Sequence, residues 1–334
     1  RKLYGTQRSV RISVQARDPD RMEHTMDEVR AVPRARHHLR PNQDDDFDML
    51  TAAGINDLWK SLTTTIFSIA IFVVGISLVV GGGVFTAALQ SLGLMPLVGE
   101  PALSFDAYTA LGDDLWRSLA LTLSLATVST ALAAMIGLAT ALSALSGSRA
   151  PLVAAGLTVT VPHLIGAAAM GLLLADSGLL PRILGSTDGS WPELVGGRWW
   201  IAVVVEYAWK ESAFVAIVLA GTLATRVAAF DETAATLGAG RWARLRLVTL
   251  PLVRPALIAS TAIAFAYTVG SYEVARILGR PYPEPLSIMA VRLFTSIDLA
   301  ARPQAAAAAM VATTLTVVGA VVAVHFLRRS AIWR

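Results

Sequence analysis

RVAAFDETAATLGAGRWARLRLVTLP, residues 226–251, lies between two strongly apolar stretches. Connections between packed elements usually run a few residues; the polar stretch 226–254 is nearly thirty long, and it is patterned. Asp231 and Glu232 place acidic groups at the start of a helix, where the backbone dipole favours them. Good helix formers, among them Ala234, follow up to Leu237. Gly238 removes a side chain where the backbone must turn or let another surface approach. A second amphipathic stretch sets Trp242, Leu245, Leu247 and Val248 among arginines and returns to the apolar region, with Leu250, Pro251 and Pro255 marking where a new span begins. The pattern predicts a short helix outside the bilayer that presents a rigid knob to a partner.

The surroundings of this loop set its solvent. The chain has 334 residues, 54% hydrophobic and 16% charged, with a mean hydropathy of +0.58. Soluble proteins carry about 25% charged residues, so lipid is the expected solvent. Six spans can be drawn, at about 62–89, 115–145, 151–175, 199–225, 255–278 and 304–327. Trp199 and Trp200 open the fourth and suit the aromatic belt of a membrane surface. Residues 1–54 are polar, include the acidic run Asp44, Asp45, Asp46 and Asp48, and lack a sustained apolar period. They read as a cytoplasmic extension, mostly disordered or loosely packed, ahead of a membrane domain over 55–334. The absence of cysteine removes disulfides and thiolate chemistry. The net charge of +4 is dispersed rather than gathered on one face, so no nucleic-acid partner is expected.

Arginine placement predicts topology. Arg226, Arg241, Arg244, Arg246 and Arg254 cluster in the loop after span four, and Arg328, Arg329 and Arg334 in the tail, whereas Glu100, Asp106, Asp113 and Asp114 sit between spans one and two. Both termini and the 226–254 loop are therefore expected in the cytoplasm. One outer segment argues back, because 279–303 carries Arg280, Arg292 and Arg302. Its apolar middle, from Ile288 to Phe294, predicts a helix across the outer mouth.

The loop resembles the Glu-Ala-Ala signature of binding-protein-dependent ABC importer permeases: Glu-Ala-Ala, three residues, Gly, nine residues, Ile-x-Leu-Pro. Here it reads Glu232-Thr233-Ala234, Gly238, then Val248-Thr249-Leu250-Pro251, with Thr233 and Val248 as the two departures. The stretch from Leu119 to Ala133, and Trp209-Lys210 ahead of the loop, are also similar to that family's pattern. The resemblance covers about 60–330. It implies an all-α, six-helix type I importer domain with a cytoplasmic coupling helix, in the bacterial inner membrane. The implied partners are two ATPase subunits, which carry ATP and Mg, a second permease (identical or homologous) and an extracytoplasmic substrate-binding protein. The likeness around Trp209-Lys210 and Gly270–Val274 lies nearest to polyamine, iron and thiamine permeases, with sugars open.

Ionisable residues inside spans are costly and point to a path or a pairing. Glu206 and Lys210 stand four apart, the favoured order for a helical ion pair, while Glu211 beside them points elsewhere. Glu273 and Arg276, with Tyr267 and Tyr272, mark the outer end of span five, and His163 follows Pro162 in span three. Each set either lines the path or locks helices together. The chain shows no Gly-rich loop with Lys-Ser/Thr, no HExxH and no GxSxG elbow, so no cofactor and no enzymatic activity of its own are expected. An ion-coupled secondary transporter is the competing class. It would use Glu206, Lys210 and Glu273 and would need no such loop.

Overall fold

Every apolar period becomes a helix in the computed structural model, which describes residues 14, 21–47, 49, 52–145, 148–186 and 190–330; no strand occurs among them. The chain divides into two units, one ending at Val79 and one beginning at Val80. The division falls inside a long helix rather than at the polar-to-apolar step near residue 54.

In the first unit, α1 (Met22–Arg36) replaces the irregular chain expected there. Local charge explains it. Arg30 Nε lies 3.1 Å from Asp45 Oδ2, Arg34 pairs with the same carboxylate and donates to the carbonyls of Arg40 and Gln43, and His37 Nδ1 lies 2.6 Å from Asp46 Oδ1. The acidic run thus folds back on the helix. Asp48 lies outside the described residues.

The second helix, α2 (Ala52–Ser91), runs through the division, and none of its residues 59–85 is buried. Beyond it come α3 (Asp106–Thr109) and α4 (Gly112–Leu145). The third span is not one helix: α5 (Ala150–Thr160) stops at an extended Val161, and α6 (His163–Leu174) starts after Pro162. Proline lacks the N–H donor and pushes the preceding residue out of the helical region. A short α7 (Leu179–Ile183) leads to α8 (Ile201–Thr222), the most buried element, which packs against α4, α5, α6 and α11.

A widened π turn, Leu223–Val227, joins α8 to α9 (Ala228–Thr236). Then α10 (Arg241–Arg244) continues through a second π turn, Leu245–Thr249, into α11 (Leu250–Gly270). The fifth span therefore begins well before Pro255 and ends at Gly270, eight residues short of the expected end. Pro251 does not break it: a proline crowds the carbonyl four residues back, here Leu247, and the widened turn lies at that carbonyl. After an extended Ser271 come α12 (Glu273–Leu278), α13 (Leu286–Phe294) and α14 (Arg302–Ser330).

Among the described residues, five apolar stretches are long enough to cross a bilayer: 59–91, 112–144, 163–183, 241–270 and 299–329. The expected fourth span, α8, is not among them, because it carries Glu206, Lys210 and Glu211, all buried against protein. Small residues let its neighbour approach. Ala126, Ser129, Ala133 and Ala141 on α4 are fully buried, and a side chain added at Gly137 would sit 2.8 Å from the Ser212 carbonyl oxygen on α8. Gly137→Leu is expected to cost about 1–3 kcal/mol, seen as a lower thermal midpoint in detergent. Gly156→Leu, with open space at the same atom, should leave the midpoint unchanged.

Trp200 does not serve as a surface belt. It is 3% exposed, takes a left-handed backbone (φ 55°), and packs where a side chain at Gly279 would lie 2.1 Å from its ring. Exposed Trp199 stacks on Arg198 instead, 4.6 Å from guanidinium to ring centre. The packing of Trp200 against Gly279 joins the start of α8 to the end of α12, so α12 and α9 occupy opposite ends of a helix about 33 Å long at about 1.5 Å per residue.

Candidate functional site

At the far end of α8, α9 has no buried residue. Asp231 falls in its first turn, as the dipole favours, and binds across the turn to Arg244 on α10, Nη1 to Oδ2 at 2.7 Å. That ion pair braces the two arms of the loop. Gly238 sits at φ +87° with nothing within 4 Å of an added side chain. Its role within this chain is therefore the turn rather than close approach. Leu237 and Trp242 project to solvent, 83% and 82% exposed, with Phe230 and Leu247 also exposed beside them. Glu232 is exposed, Ala234 is half-buried, and Leu250 and Pro251 start α11. The expected coupling residues thus form one braced projection with an apolar tip.

In the middle of the spans, the expected Glu206–Lys210 pair does not form among the described residues. Lys210 Nζ donates instead to the carbonyls of Thr158, at 2.7 Å, and Val161. The reason is the broken third span: the last carbonyls of a helix have no partner within it, and an ammonium satisfies them while meeting the negative end of the α5 dipole. Glu211 points into the same cluster, contrary to the sequence expectation. His163 lies between the two carboxylates, Nδ1 3.4 Å from Glu206 Oε1 and Nε2 3.5 Å from Glu211 Oε1. Both Glu206 oxygens are buried without a hydrogen-bond partner among the described residues. Gly166 makes room for them, since a side chain there would meet Glu206 Oε1 at 3.1 Å. Tyr267 stacks on His163, ring centres 4.5 Å apart. A groove of about 350 Å³ runs along Pro162, His163, Lys210, Glu211, Phe214 and Tyr267.

The other path candidates lie elsewhere. Glu273 heads α12 and Arg276 follows one turn later, both exposed, and no ion pair joins them among the described residues. Tyr272 and Arg276 line a separate cavity of about 400 Å³ between α12 and α13. The apolar helix expected across 281–303 is α13, which buries Leu286, Ile288, Met289 and Leu293.

Residues 190–331, which carry α8, the braced loop, and α11 to α14, match the model of the binding-protein-dependent transport system inner membrane component. The match covers this region and leaves the first 189 residues outside it. A molybdenum transport system permease of Azotobacter vinelandii is 37% identical over 67 residues, 20% of this chain and 30% of that protein. An inner membrane ABC transporter permease of Escherichia coli is 29% identical over 248 residues, 70% of this chain and 45% of that protein. The chain thus spans less than half the length of these relatives. The structure of a bacterial ABC transporter involved in import of the acidic polysaccharide alginate superposes with TM-score 0.58 at 20% identity, covering 82% of this chain and 99% of that one. This likeness shows the fold alone. The family describes a membrane component, distinct from an ATPase.

Proposed function

We propose that this chain is a multi-pass permease subunit of an ATP-driven importer, with α9 as its coupling helix. The observation that carries the reading is the braced apolar projection: a surface helix with no buried residue, tied by Asp231–Arg244 and ending in exposed Leu237 and Trp242. Such a helix suits a groove on a partner, and the family match supports an ATPase as that partner. Two ATPase subunits, loaded with ATP and Mg, press on this helix and on its counterpart in a second permease. The π turns on both sides of the knob connect it directly to α8 and α11, the helices that flank the His163 groove, so a shift of α9 changes the width of that groove. In this reading both termini and α9 face the cytoplasm, and an extracytoplasmic binding protein delivers a small solute at the α12–α13 end. The motif resemblance around Trp209-Lys210 and Gly270–Val274 points to a polyamine as that solute, whereas the relatives compared above, one of them a molybdenum permease, do not.

Uptake into vesicles bearing the chain with its ATPase should need ATP and survive collapse of the proton gradient. Trp242→Ala should weaken capture of the ATPase about thirtyfold, the loss of an interface aromatic anchor worth about 2 kcal/mol. Uptake driven by a proton gradient without an ATPase would reverse the assignment.

A further inference from the structure

Three arginines converge on the cavity at the α12 end of the molecule, two of them on the segment that argued against the topology. Arg276 comes from α12, Arg280 from the connection that follows, and Arg292 from α13; with Glu284 they line a space of about 400 Å³, within the range of small-molecule sites. Glu284, 7% exposed, is the single carboxylate of that lining. Its Oε1 accepts from Arg292 Nε at 2.8 Å and Nη2 at 2.6 Å. Arg276 and Arg280 form no ion pair among the described residues, so three cations face one carboxylate. The nearest other charge on these elements is the exposed Glu273 at the head of α12.

The scaffold around the arginines is tied at several points. Ser287 Oγ donates to the Ser271 carbonyl at 2.7 Å, and the Leu286 N–H to Thr122 Oγ1 at 2.9 Å. Tyr282 donates to Asp114 Oδ1 at 2.7 Å and accepts from Arg117 at 2.5 Å. A planar guanidinium presents paired donors that match two oxygens of an oxyanion. Held on fixed backbone, such forks lose little freedom when an anion arrives.

We propose that this cavity binds a small oxyanion, and that the importer's solute is anionic rather than a polyamine. The second half rests on the importer reading; the site itself does not. Inorganic sulfate is the probe. In nanodiscs of phosphatidylcholine, whose headgroup has no net charge, the full chain should bind radiolabelled sulfate saturably, more weakly as salt rises, and spermidine should not compete. Removing charge-assisted donors should cost about tenfold per arginine, so Arg276→Gln/Arg280→Gln should bind sulfate about a hundredfold more weakly. Arg328→Gln, at the distant end of α14, should bind as the parent does. Arg276→Lys/Arg280→Lys should keep part of the affinity, which separates charge from misfolding.

Absence of saturable sulfate binding, equal competition by spermidine, or unaltered binding in the double Gln variant would each overturn the site. So would a double Gln variant that keeps sulfate but releases a copurified binding protein, since the arginines would then be a docking surface. Failure of the importer reading looks different: sulfate would still bind, while no ATP-driven uptake accompanied the ATPase.

Discussion

Lys210→Met should lower the thermal midpoint of the purified chain by roughly 10 °C. The ammonium closes two structures together. It caps the carbonyls of Thr158 and Val161 at the break between α5 and α6, and it is the cation nearest in sequence to the buried Glu206 and Glu211. Removing it strands the Val161 carbonyl, at about 1–3 kcal/mol for an unsatisfied buried group, since the Thr158 carbonyl still accepts from the Val161 N–H, and among the described residues it leaves the carboxylates to His163. Breaking a buried charge cluster on one side costs about 3–5 kcal/mol. An ammonium in a span also costs about 2.5–3.5 kcal/mol to insert, but the inserted unfolded chain carries that cost too, so its removal adds little to folding stability. Lys210→Met/Glu211→Gln should regain part of the loss. A midpoint unmoved in Lys210→Met would show that Lys210 does not hold the broken span.

Gly238→Val should cut ATP-driven uptake about tenfold or more, with insertion intact and ATP hydrolysis by the partner uncoupled. Backbone conformation is the cause, since an added side chain meets nothing within 4 Å. At φ +87° an L-residue pays roughly 1–2 kcal/mol, and a β-branched one more. The α9 arm has no buried residue to resist that strain and is braced by Asp231–Arg244. A tilt of the knob is therefore the easiest relief, and 1.4 kcal/mol is a factor of ten in a docking equilibrium. Gly238→Asn should keep most of the uptake, because asparagine tolerates the left-handed region. Equal uptake by the Val and parent chains would remove the turn from the mechanism.

The loop was legible because its information is local. The acidic first turn with Asp231, the turn at Gly238 and the spacing to Pro251 all act within a few residues, so pattern and structure agree there. The same locality misleads at Pro255, which looks like a helix start yet lies inside α11, because the π turn at Leu245–Thr249 accommodates Pro251 and lets the helix begin upstream. Glu206 and Lys210 were read as partners from their spacing. The ammonium met stronger acceptors on a different helix, and a spacing rule cannot see those.

Composition and periodicity by themselves determined a lipid-embedded, all-helical chain and the projection between α8 and α11, since burial in lipid and turn geometry depend on residue type and near neighbours. Tertiary structure alone decided where the third span breaks, that His163 stands between Glu206 and Glu211, and that Arg276, Arg280 and Arg292 meet around one cavity. These groups are brought together from separate helices, and their energies depend on distances that only the packed chain fixes.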